Sequence, residues 1–489
     1  MKVLLAVSVS EERFYSIPDI GMGYLASLAR NAGHEVEILD CLLEQYSFDD
    51  FEDHVRKAQP DVVGVKAYST DLEPIREMYR RVKRISPDIR TVMGGPHPST
   101  ESGQRLLRGF PDLDFAFAGE GEPGFVAFLE QLEANVPNYH DIPGLVWRDE
   151  TAEVHENEKQ LVKDLNSLPF PAWDLLQPER YRWGYCFMNA RYPAAPMSFT
   201  RGCPYLCTFC GSHLITGRRV RQRTPENIIA EIRYLQENYG IKSIDVVDEN
   251  LVFDRKYLMN LCNRLIEEEV NISWNCPYGV RLDRLDEEMV QLMERAGCFA
   301  VSLGLESGTN RILKQVKKVL TVEKTVEHVK MIKRVSNITL QGYFVLGFPS
   351  ETKEEIENTI NLAASLPLDL AVFAPLRVTP GTEIYNTLVK EGAIQEEVDY
   401  SGFGHHYVVR SYCPVSDQEM HRLYRKAYLK FYLRPSVLFG LLTKMRVTSQ
   451  VRMVFNGLKR LVSRPVVTMD PRKRIPEQQP AEQHSPDVT

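Results

Sequence analysis

The sequence predicts an α/β protein built from two βα assemblies in series. The first is a doubly wound, Rossmann-like parallel sheet over residues 1–135, and the second a partial (βα)6 barrel over residues 196–400. Three observations carry this. Apolar runs of strand length alternate with amphipathic runs of helix length over the first stretch, as parallel βα units require. The alternation breaks over 136–195 and then resumes for six further units. At 489 residues the chain has room for about three domains, each with its own core.

In the first assembly the expected strands are Lys2–Ser8, Glu35–Asp40, Asp61–Ala67, Arg90–Gly94 and Phe115–Ala118. The expected helices are Gly23–Asn31, Phe48–Ala58, Leu72–Ile85, Gln104–Leu107 and Gly124–Leu132. Ligands of such sheets sit beyond the carboxyl ends of the strands. Those ends carry small or turn residues: Ser8-Val9-Ser10, Ser69-Thr70, Gly94-Gly95-Pro96-His97 and Gly119-Glu120-Gly121-Glu122. Glycines there admit a bulky ligand close to the backbone, although any one of them also reads as an ordinary turn glycine.

Residues 136–195 read as a connector. Leu145–Arg148 and Glu153–Glu156 flank Asp149-Glu150 as a hairpin. Pro169 and Pro171 then favour an extended tether. Trp173, Tyr181, Trp183 and Tyr185 either line a substrate space or pack.

The second assembly opens with a strand at Pro196–Thr200. Its further strands are expected at Ser243–Val247, Ile272–Cys276, Ala300–Leu305, Thr339–Leu346 and Leu370–Leu376. Thr224 is suited to cap a helix from Pro225 to Tyr239, with proline at its first position. Chemistry in such barrels sits at the carboxyl ends of the strands. There the sequence places Asp248-Glu249-Asn250, Arg281 and Glu306-Ser307.

The last two stretches are a basic helical segment, 401–464, and a disordered tail, 465–489. Between Met420 and Arg464 stand eleven Lys and Arg and no Asp or Glu, interleaved with apolar residues. That pattern suits the surface of an anionic membrane, or a helical cap on the barrel with a solvated face. The net charge of −7 argues against nucleic acid as a general partner. Nine cysteines in so long a chain do not make a disulfide scaffold, which points to a reducing, cytoplasmic setting. No run reaches the roughly 18 apolar residues of a membrane span.

Cys203, Cys207 and Cys210 stand in a Cys-x3-Cys-x2-Cys spacing after the first barrel strand. Three thiolates on a four-iron cube leave one iron open to another ligand. A zinc site completed by His213, or three unrelated buried cysteines, are the alternatives. The stretch, with Phe209 before the third cysteine, resembles the cluster motif of the radical S-adenosylmethionine (SAM) enzymes. The phrases Gly94-Gly95-Pro96-His97 and Gly119-Glu120-Gly121-Glu122 resemble the cobalamin-binding domain that precedes many such barrels. The Asp-x-His-x-x-Gly signature of a histidine-ligated cobalt is missing, and Asp53-His54 has the wrong spacing for it.

The resemblance covers residues 1–400 and implies a cobalamin-dependent radical SAM methyltransferase, or a cyclase or rearrangement enzyme with the same cofactors. It implies a 4Fe–4S cluster on the three cysteines, with SAM on the open iron and a low-potential electron donor of flavodoxin or ferredoxin type. Asp248 or Glu249 would hold SAM's amino group, Arg281 its carboxylate, and Glu306 and Ser307 the ribose. Ser69, Thr70, Gly94, Gly95, His97, Gly119 and Gly121 would border the cobalamin, with His97 near the corrin rather than on cobalt. Since the cofactors carry the chemistry, no protein base is nominated. Methylthiotransferases are a poor match, because only Cys41 and Cys186 precede the motif. A cobalamin carrier would not need the triplet. The basic segment leans the expected small-molecule substrate towards an apolar lipid, tetrapyrrole or natural product, met at the inner face of a membrane.

Overall fold

The computed structural model describes residues 1–10, 17–181, 191–395 and 411–444. Its first sheet contains five parallel strands: β1 (Lys2–Val7), β2 (Glu35–Asp40), β3 (Val62–Lys66), β4 (Arg90–Gly94) and β5 (Phe115–Phe117). Their order is β2-β1-β3-β4-β5. The two-residue period along β1 explains the double winding. Leu4 and Ala6 face a core with Phe51, Val55, Ile75 and Met78, while Val3 and Leu5 face another with Met22, Ala26 and Phe128. Helices therefore cover both faces. Ser47 and Asp50 cap each other at the start of helix Phe48–Ala58, which fixes where that helix begins.

The hairpin expected in the connector forms as β6 (Leu145–Arg148) and β7 (Val154–Glu156). It does not stand apart: β6 pairs antiparallel with β5 and completes a seven-stranded sheet. This covers an edge that would otherwise expose unpaired backbone. Of the connector aromatics, Trp173 and Tyr181 pack. Trp173 Nε1 donates to Glu231 Oε1 at 2.9 Å, and the Tyr181 hydroxyl to Asp40 Oδ2 at 2.9 Å. Trp183 and Tyr185 lie outside the described residues.

The chain then makes β8 (Ala194–Met197), the short pair β9 (Thr200–Arg201) and β10 (Arg221–Gln222), β11 (Ser243–Val246), β12 (Ser273–Val280), β13 (Cys298–Glu306), β14 (Thr339–Leu346) and β15 (Leu370–Pro375). Six of these form a parallel sheet in the order β15-β14-β13-β12-β11-β8. The expected strand Pro196–Thr200 is in fact divided: β8 ends at Met197, and β9 pairs antiparallel with β10 on the far side of the cysteine loop. Thr224 and Pro225 open helix Pro225–Tyr239 as expected, and Gly240 closes it in the left-handed conformation.

Helix Asp417–Tyr432 is a cap. It buries Met420, Leu423, Tyr424, Ala427 and Phe431 against the barrel. Its cations are not without counter-charge, because helix Lys353–Ser365 lies beside it. Lys426 pairs with Glu357 at 2.6 Å, and Arg434 donates to the carbonyls of Ala364 and Leu366 at 2.7 and 2.9 Å. The cations from Arg446 to Arg464, and the tail, lie outside the described residues. No helix among the described residues is long and apolar enough to cross a membrane.

Candidate active site between the two sheets

The cysteine loop is held in shape by the acidic residues that follow β11. Asp248 accepts the N–H groups of Phe199 and Thr200, both at 2.8 Å, and the Thr200 hydroxyl at 2.9 Å. Glu249 accepts the Gly202 N–H at 3.1 Å and the Thr216 hydroxyl at 2.8 Å. Gly202 stands at φ +97°, and a Cβ there would lie 2.3 Å from the Arg219 carbonyl oxygen. Only glycine fits this position. Burial pushes the Asp248 carboxyl up to about 7, against the three donors that favour its ionised form. Both of its oxygens are engaged on the strand that delivers the cysteines, so its first task is to shape the loop.

Cys203, Cys207 and Cys210 line one cavity of about 660 Å³. Burial raises the thiols of Cys203 and Cys207, a cost that a bound cation would offset. Among the described residues, one group of three His, Cys, Asp or Glu donors converges within 4.8 Å, and it is Asp149, Glu153 and His155 on the β6–β7 hairpin. The three sulfurs are therefore spread wider than this. Zinc, with Zn–S near 2.3 Å, would draw them to about 3.8 Å of one another. His213, the fourth ligand of the zinc alternative, lines a separate outer hollow. The spread suits a cube that takes each thiolate on its own iron.

Arg281 and Asn250 supply open polar groups to the same cavity. Arg281 is 5% exposed and lies over the Tyr205 ring at 4.0 Å. Its Nε donates to Asp283 at 2.8 Å, while Nη1 has no partner among the described residues. A buried guanidinium nitrogen of this kind suits a carboxylate. Asn250 is 1% exposed, and neither its amide nitrogen nor its amide oxygen has a partner among the described residues. Sequence reasoning placed Asn250 in the right loop without assigning it a role. A buried polar group without a partner signals a ligand to come.

Glu306 lines the cavity too, but in an ion pair with Lys318 at 2.8 Å that the sequence gave no reason to expect. Its φ of +62° turns the chain at the end of β13, a costly conformation for a non-glycine residue. Ser307 therefore points elsewhere: it is buried beside Thr359 and does not line the cavity.

In the first sheet the structure gathers the glycines and separates the polar residues expected with them. Gly94, Gly95, Gly119 and Gly121 border a second cavity of about 290 Å³, walled by Leu5, Val92, Phe117 and Phe125. A Cβ on Gly95 would meet Lys66 Cγ at 2.8 Å and the Ala67 backbone at 3.1 Å. Apolar walls and a glycine rim suit a flat aromatic group such as the tail base of cobalamin. Ser69, Thr70 and His97 line neither cavity. His97 is 3% exposed, its Nδ1 lies 3.0 Å from the Ser69 hydroxyl, and burial lowers its pKa to about 4. His54 sits on a helix surface beside Glu37. The two cavities meet, since Asp19, Ile20, Lys66, Val247 and Glu249 belong to the walls of both.

Residues 8–129 match the family model described as the B12 binding domain, and residues 197–363 that of the radical SAM superfamily. An uncharacterized methyltransferase of Pyrococcus horikoshii is 30% identical over 90% of this chain and 94% of its own. The anaerobic magnesium-protoporphyrin IX monomethyl ester cyclase of Rubrivivax gelatinosus is 27% identical over 76% of this chain and 66% of its own. The radical SAM methyltransferase TsrM of Kitasatospora setae, solved with cobalamin and a 4Fe–4S cluster, superposes with a TM-score of 0.66 at 18% identity. That likeness covers 80% of this chain and 78% of the other, and it extends the shared fold across both sheets.

Proposed function

The chain belongs to the cobalamin-binding radical SAM enzymes, and from that premise we propose a methyltransferase acting on an unactivated carbon of an apolar substrate. The observation that carries this is the common wall of the two cavities, which lets a methyl carrier and a radical source face one substrate. When bound, the cluster, SAM and cobalamin supply the electron, the deoxyadenosyl radical and the methyl group. The chain's own work is to hold and orient them. Cys203, Cys207 and Cys210 would ligate the irons, Arg281 Nη1 would receive SAM's carboxylate, and the Asn250 amide would offer SAM one donor and one acceptor. Asp248 and Glu249 would keep the loop aimed at the cavity. The glycine rim would seat cobalamin without an imidazole on cobalt, since His97 is buried against Ser69.

Anaerobic incubation of the reconstituted protein with SAM, a reductant and solvent-extracted cell lipids should form S-adenosylhomocysteine and 5′-deoxyadenosine together. Deoxyadenosine alone would favour a cyclase or rearrangement enzyme, the activity printed for the Rubrivivax relative. Neither product would leave a cofactor carrier.

The substrate class rests on the C-terminal face. Beyond the capping helix, Leu433, Leu438 and Phe439 are exposed, Phe439 by 69%, beside Arg422, Lys426 and Lys430. Apolar side chains among cations suit an anionic lipid surface, at about 1 kcal/mol per cation. The full chain should float with vesicles containing phosphatidylserine and be released by high salt. Protein that ignores such vesicles at low salt would remove the reason for a lipid substrate.

A further inference from the structure

The loop whose inner side lines the large cavity has an outer side open to solvent. Cys207 belongs to both walls, that of the inner cavity and that of an outer hollow of about 320 Å³. The loop is clasped there by two neighbours: Thr208 N–H donates to the Val316 carbonyl at 3.3 Å, and Ile384 N–H to the Thr208 carbonyl at 3.0 Å. This clasp brings Val319, 70% exposed, to the same face as Leu206, 53% exposed. Cations surround the two apolar residues. Arg218 Nη1 donates to the Tyr205 carbonyl and Arg284 Nε to the Tyr205 hydroxyl, both at 2.7 Å. Lys317 and Lys390 flank the hollow on the other side, with Glu383 paired to Lys317 at 2.6 Å. On a chain of net charge −7, this is a local basic face.

We propose that this face docks an acidic electron-transfer protein, which reduces the cluster through the wall formed by Cys207. The proposal rests on the reading under Proposed function and names the partner that reading leaves open. SAM and substrate enter from the inner side, so the reductant is left the outer one. A small apolar centre with a charged rim is the form of brief electron-transfer encounters, which bury little area and rely on charge for their rate. The donor loses one electron and the cluster gains one. The same electron then cleaves the sulfonium bond of SAM to methionine and the deoxyadenosyl radical, with no proton exchanged.

The test is the variant Lys317→Glu with Lys390→Glu, two exposed residues outside the inner cavity. Flavodoxin, reduced by its reductase and NADPH, is the probe, and titanium(III) citrate is the small reductant that needs no docking. The variant should bind flavodoxin about tenfold more weakly, and form deoxyadenosine correspondingly more slowly with flavodoxin, while the titanium-driven rate is unchanged. Binding by the parent protein should weaken steeply with salt. A variant that keeps its titanium-driven rate and binds flavodoxin like the parent overturns the proposal. If the double variant loses its iron, Lys390→Glu alone and the salt dependence of the parent decide, and a parent indifferent to salt overturns it equally. A parent that fails to cleave SAM even with titanium(III) would instead sink the proposed function.

Discussion

Replacing Cys203, Cys207 and Cys210 together by alanine should take anaerobic iron uptake from about four irons per chain to almost none. Three thiolates are the whole protein ligand set, because the fourth iron is left for SAM, so no residue remains to retain a partial cube. The apoprotein should nevertheless stay folded. The loop is held by Asp248 on Phe199 and Thr200, by Glu249 on Gly202 and Thr216, and by the Thr208 backbone between Val316 and Ile384. None of these contacts needs metal. Circular dichroism of the variant should therefore match that of cluster-free parent protein while its iron content differs. A parent that binds zinc tightly and takes up no iron would show that the width between the sulfurs was misread. A variant that unfolds outright would show that the loop depends on the cysteines more than these hydrogen bonds imply.

What the sequence revealed, and what it hid, follows from how far apart the interacting residues lie. The cysteine triplet is legible because its geometry is local: seven residues between two strands decide where the thiols go. The βα alternation is equally local, and both sheets follow from it. The hairpin at 145–156 was legible as a hairpin, but its pairing with β5 was not, because nothing within a hairpin names its neighbour. Ser307 failed for a related reason. At the end of β13, Glu306 takes a left-handed turn that reverses which residue faces the cavity, and strand alternation does not foresee this. Asp248 carries the right chemistry for a cofactor contact, yet its oxygens are used by backbone donors 48 and 49 residues away. Lys318 and Asn250 offered no sequence signal beyond being polar in loops, which most loop residues are.

Glu120→Ala should be among the most damaging single changes outside the cysteine loop, at about 3–5 kcal/mol. The glycine-rich phrase around it was expected to serve cobalamin alone, but its two carboxylates also bind the first sheet to the second. Glu120 meets Arg221 through both carboxylate oxygens at 2.8 Å, 101 residues along the chain, and accepts the Val162 N–H at 2.7 Å. Arg201 bridges from Glu122 at 2.8 Å to Glu120 at 3.4 Å. Arg201 and Arg221 belong to the strand pair that brackets the cysteine loop, so the network sets the glycine-bordered cavity against the thiol-lined one. Removing Glu120 leaves the Arg221 guanidinium buried with only the carbonyls of Val162 and Thr216. A buried charge without its partner costs more than the intact pair contributes. The double variant Glu120→Leu, Arg221→Met should therefore lose less than the sum of its two single changes, because it strands no charge. Urea unfolding of the cofactor-free protein measures this in two ways. The midpoint should fall in Glu120→Ala, and a single transition in the parent should separate into two as the sheets lose their connection. Additive single effects with an undivided transition would mean that the Trp173 tether, rather than this ion pair, holds the two cavities in register.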